Sequence, residues 1–149
     1  MADLPLSRAL VGSWRLLSRE DRTASGERRI DPALGEDPHA LLVYDRGGNF
    51  AAQFMKRVRT PEEPGMSRPA AVNNSRAVNG YDAYFGTYTV NDSTATVTQT
   101  LVGALSPENV GLVVTRSMHV VGDELVIQLQ TTSAGGTPVV RTLRWQRVA

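Results

Sequence analysis

Leu10-Val11-Gly12-Ser13-Trp14-Arg15-Leu16-Leu17 is the stretch whose reading decides the fold of this chain. Ahead of it, residues 4–10 read as a turn of helix, and the Gly-x-Trp step then opens a strand. A glycine there lets the backbone bend sharply or approach a neighbour closely. Trp14 is one of only two tryptophans, and an indole at that point can plug the end of a barrel. The second, Trp145, lies in the last strand-like run, with Arg144 and Arg147 close by. First and last strands lying side by side is what closing a barrel requires.

Working outward, residues 13–19 read as a strand with Trp14, Leu16 and Ser18 on one face and Arg15, Leu17 and Arg19 on the other. Residues 20–32 are charged and aperiodic, as in a long rim loop. Strands over 39–44 and 49–56 flank Asp45-Arg46-Gly47-Gly48, a hairpin loop. Pairing Tyr44 with Asn49 places Leu41, Val43, Phe50, Ala52 and Phe54 together and Leu42, Tyr44, Ala51, Gln53 and Met55 opposite. Both faces are largely apolar, which leaves open which one points inward. Pro61, Pro64, Gly65 and Pro69 exclude a regular element over 60–69. The spacing of Ala70, Ala71, Asn74, Ala77, Val78 and Tyr81 predicts a helix from near Pro69 to about Asp82.

Beyond it, strands over 84–90, 95–102, 111–120, 124–131 and 138–148 follow one another through short turns. The expected fold is therefore all-β: one domain over 1–149, an eight-stranded antiparallel up-and-down barrel. A short N-terminal helical turn precedes the first strand, and one helix joins the third strand to the fourth.

With 149 residues the chain is long enough for a hydrophobic core without staples. It has no cysteine, which rules out disulfides, a thiol nucleophile and thiolate metal sites. The formal charge of +1 is spread over interspersed acids and bases, not gathered in the basic stripe that nucleic acid or a membrane surface would need. No window approaches the roughly 20 apolar residues of a membrane span. Met1-Ala2-Asp3 does not open a signal peptide, so a cytoplasmic location is expected. A homo-oligomer stays open.

A barrel of this size leaves room for one small ligand, so polar residues facing inward are the informative ones. Arg116 sits mid-strand with Met118 and Val120 on its side and Thr115, Ser117 and His119 on the other. If that side faces inward, its permanent charge needs an acid, an enolate or an anionic ligand. Tyr44, Tyr84 and Tyr88 lie on strands, and a phenol in an apolar cup can donate to a ligand carbonyl. Gln53 is a mid-strand amide that either orients a ligand or faces water. His39 and His119 lack the spacing of a zinc helix. No phosphate-cradling glycine loop and no nucleophile elbow occurs, and no cofactor or metal is implied.

Four markers in order resemble the lipocalin-like domains of bacteria and fungi, relatives of the wider calycin group. They are Leu10 to Leu16, Leu34-Gly35-Glu36-Asp37-Pro38, Leu42-Val43-Tyr44 followed by Gly47-Gly48, and Ala83 to Tyr88. Residues 62–66 depart most from that pattern. The resemblance implies an arginine of the last strand, Arg144 or Arg147, lying over Trp14. It also implies a barrel that binds a small apolar or amphipathic molecule. The alternative is a cofactor-independent isomerase, cyclase or dehydratase acting on a natural-product intermediate. On either reading the expected ligand contacts are Tyr44, Gln53, Phe54, Tyr84, Tyr88, Arg116 and Met118. Catalysis would fall to Arg116, Tyr88 and His119.

Overall fold

A computed structural model describes residues 4–59 and 79–149. A four-residue helix, α1 (Leu6–Ala9), leads into β1 (Gly12–Arg22), followed by β2 (Arg28–Arg29), β3 (His39–Tyr44) and β4 (Asn49–Met55). The remaining strands are β5 (Tyr81–Asn91), β6 (Thr96–Ala104), β7 (Val113–Val121), β8 (Glu124–Thr132) and β9 (Pro138–Arg147). Each long strand pairs antiparallel with the next, and β1 pairs with β9, which closes an eight-stranded barrel. The two-residue β2 merely folds back on the end of β1.

Closure is sealed where the sequence places its two tryptophans. Trp14 is fully buried and donates from Nε1 to the Leu10 carbonyl at 3.0 Å. Arg147 lies over its ring, 4.3 Å from the centroid, and donates to the carbonyls of Val11 and Ala9 at 2.8 and 2.5 Å. Arg144 faces outward and pairs with Glu124. Gly12 is required at this crossing. Its φ is +144°, and a β-carbon there would lie 2.6 Å from the Ala149 carbonyl oxygen and 2.7 Å from the Arg147 guanidinium.

Three local readings are corrected. The hairpin pairs Tyr44 with Phe50, not Asn49, because Asp45 and Asn49 also pair and Gly48, at φ +87°, closes a three-residue loop. A one-residue change of register swaps the faces. Leu42, Tyr44, Phe50, Ala52 and Phe54 therefore point inward, and Gln53 points out.

The first strand runs to Arg22, past the expected Arg19, and is interrupted by an irregularity between Leu16 and Ser18. An extra residue in one strand leaves it unpaired and shifts the alternation. Trp14 and Leu16 are buried before this point, and Arg19 and Asp21 are buried after it. Lastly, the helix expected from near Pro69 falls over 70–78 outside the described residues. Its last turn is corrected: Asn79 and Gly80 form a turn, and Tyr81 and Asp82 begin β5.

Candidate ligand cavity

The inward faces of all eight barrel strands and one loop residue, Leu34, enclose a cavity of about 60 Å³, measured as the space open to the centre of a water molecule. By that measure one water needs roughly 10–15 Å³, so the space takes several waters or one compact group. Leu34, Leu42, Phe54, Ile127, Leu129, Leu143 and Trp145 make the apolar part of its wall. The polar part consists of Arg19, Tyr44, Asp82, Tyr84, Gln99, Arg116 and Arg141. Period-two alternation explains most of this set. On β9, Val139, Arg141, Leu143 and Trp145 share the inner face, and on β7 Val114, Arg116 and Met118 do.

Buried charge in the wall is organised by two aspartates. Asp21 receives Arg141 through both oxygens, Nε at 2.8 Å and Nη2 at 3.0 Å. Asp31, in the loop before β3, receives Arg19 at 3.0 Å and lies 3.5 Å from Arg141. Burial lowers the Arg19 pKa from its ordinary value, Arg141 adds to the shift, and the two aspartates oppose it. Arg116 is lowered in the same way, by burial first. Tyr84 then opposes the shift, Arg141 adds to it, and Tyr44 opposes it weakly. Both guanidiniums stay charged, since arginine does not deprotonate in proteins.

Asp82 differs from these. It is 2% exposed, and its Oδ1 has no hydrogen-bond partner among the described residues. Burial raises its pKa to about 7, against the backbone hydrogen bond from Ala83 and the charge of Arg19. Trp145 is also in the wall, and its indole Nε1 likewise lacks an acceptor among the described residues. Buried polar atoms are normally bonded, and an orphaned one costs about 1–3 kcal/mol.

The residues singled out from the sequence divide into two groups. Arg116, Tyr44, Tyr84 and Phe54 meet in the wall. Tyr44 donates to Gln99 Oε1 at 2.5 Å, with Met118 Sδ 3.8 Å from the same hydroxyl, so Met118 supports the wall from behind. Burial first, then Tyr84 and Tyr88, push the Tyr44 phenol well above its usual value.

The other three lie elsewhere. Tyr88 is on the inner face, but it packs edge-on against Tyr44 and donates to the Asp45 carbonyl at 2.5 Å, outside the cavity wall. Gln53 accepts from Tyr81 on the outer surface, a consequence of the corrected register. His119 is exposed on the outside of β7, because its parity is opposite to that of Arg116. Among the described residues, no cluster of three His, Asp or Glu side chains could hold a metal ion.

Arg19, Asp82, Gln99 and Arg141 are wall residues that the sequence reading missed. Arg141 was within reach, since it alternates with Val139, Leu143 and Trp145. Asp82 shares parity with Tyr84, but the helical spacing that runs up to Tyr81 reads it as the end of a helix.

An antiparallel barrel closed by its first and last strands, with a mixed polar and apolar chamber inside, defines the lipocalin-like class of proteins. A family model described as "Lipocalin-like domain" matches residues 11–148, and the chain belongs to that family. Comparison with curated proteins finds no match.

Proposed function

We propose that this barrel binds a small amphipathic molecule whose polar group is a carbonyl or carboxylate. One observation carries the reading: two buried polar atoms on residues lining the same cavity, Asp82 Oδ1 and Trp145 Nε1, have no hydrogen-bond partner among the described residues. A carbonyl or carboxylate oxygen would satisfy both, accepting from the Trp145 indole N–H and from the protonated form of Asp82, whose pKa burial raises to about 7. Arg116 and Tyr84 offer donors for its oxygen, and Phe54, Ile127, Leu129 and Leu143 offer an apolar wall for the rest.

The volume restricts the ligand to a single ring or a short chain, because a long acyl chain needs far more room. A cofactor-independent enzyme is the second reading. It is favoured by an acid, Asp82, whose Oδ1 is unengaged among the described residues, in the same wall as Arg116 and Tyr84. Calorimetric titration of cyclohexanone, benzylacetone, levulinate and hexanoate tests the binding. The expected result is saturable binding to the wild type, weakened about tenfold or more in Arg116→Met by loss of a charged hydrogen bond. Equal binding by the variant would remove Arg116 from the site.

A further inference from the structure

We infer that Asp82 is the acid–base residue of this cavity, carrying a proton to and from the carbon beside the carbonyl group of a bound ketone. This rests on the binding reading above, and it adds a reaction to it. Two aspartates buried in one barrel are held differently. Asp21 has both oxygens engaged by Arg141, as a carboxylate with a structural role does. Asp82 is as deeply buried, lines the cavity, and has Oδ1 unengaged among the described residues.

The surroundings suit proton transfer. Arg19 from β1 is the charge acting on Asp82. Tyr44 from β3, Tyr84 from β5, Arg116 from β7 and Arg141 from β9 complete the ionisable groups of the wall. Asp21 and Asp31 stand behind, held by Arg141 and Arg19. Burial brings Asp82 to about 7, so acid and carboxylate are both populated near neutral pH, as a general base requires.

The step balances without a co-reactant. The ligand's carbonyl oxygen sits at Arg116 and Tyr84, and the Asp82 carboxylate takes a proton from the neighbouring carbon. The C–H bond breaks and its electron pair forms a carbon–carbon double bond. The carbonyl π pair moves onto oxygen, where the Arg116 guanidinium offsets the enolate charge. Asp82 then returns its proton to the same carbon, or to a conjugated one, which shifts a double bond.

The test incubates cyclohexanone, benzylacetone and levulinate with the protein in heavy water. Proton NMR follows loss of the hydrogens beside the carbonyl, and calorimetry measures binding in parallel. Wild type should exchange a bound probe faster than buffer does, with a rate that rises with pH and levels off above about 7. Compared at saturating probe, with calorimetry giving the variant its own affinity, Asp82→Asn should lose exchange by about 100-fold or more, and Asp82→Glu should recover part of it. Should the Asn variant not fold, the wild-type pH profile decides: a rate flat across neutral pH overturns the inference. A probe that binds without exchanging, or that exchanges equally with Asp82→Asn, overturns it while leaving the binding reading intact. Failure of every probe to bind the wild type overturns both.

Discussion

The guanidinium of Arg147 lies 4.3 Å above the Trp14 ring and reaches past it to the carbonyls of Val11 and Ala9. One side chain of the last strand thus holds the segment that opens the first. Trp14→Ala should destabilise the fold by roughly 3–5 kcal/mol. Arg147→Ala should cost about 2–4 kcal/mol, and Arg147→Lys should recover little, since an ammonium cannot stack and fork to two carbonyls together. Gly12→Ala, which places a methyl against the same guanidinium, should cost about 1–3 kcal/mol. Urea unfolding of the four variants checks the order.

The Asp21–Arg141 pair is buried on both sides, with side-chain exposures of 4% and 5%. Asp21→Ala should destabilise by roughly 3–5 kcal/mol, because it leaves a charge in the interior with only the more distant Asp31 near it. Asp21→Leu combined with Arg141→Met should restore much of that loss, since a buried pair roughly breaks even against an apolar replacement. A double variant worse than Asp21→Ala would contradict this account of the pair.

Stability should depend on pH through Asp82. Its folded pKa of about 7 lies above the unfolded carboxylate value, so the native state holds the proton more tightly. The contribution is intact below the unfolded value and is lost as pH rises through the folded one. The loss is on the order of 4 kcal/mol for an isolated group. Asp82→Asn cannot ionise, so thermal melting should show it gaining on wild type as pH rises from 4 to 8. An unchanged difference across that range would mean that Asp82 does not titrate there.

Much of this architecture is legible in the sequence because barrel strands carry a period of two and their turns carry glycine and asparagine. Trp14, Trp145 and the arginine after it mark the closure, and the parity of Arg116 with Met118 marks an inner face. What escaped has local causes. An irregularity at Leu17 reverses the alternation in mid-strand, turning inward Arg19, which reads as lying on the face opposite Trp14, and Asp21, which reads as part of a charged loop. A three-residue hairpin loop in place of a four-residue one puts Gln53 on the face opposite Tyr44, at the surface. Asp82 stayed hidden because the tyrosine before it also fits helical spacing. A buried acid is legible only once its neighbours are known.

The central claim is that a ligand occupies the chamber beside Trp145, and the two tryptophans supply their own internal control. The Trp14 indole N–H is bonded to Leu10, whereas that of Trp145 has no acceptor among the described residues. In a nitrogen–proton correlation spectrum, titration with benzylacetone, levulinate or hexanoate should move the Trp145 indole signal saturably and leave that of Trp14 in place. Both signals unmoved by all three compounds, or Trp14 moving while Trp145 stays fixed, would contradict the account.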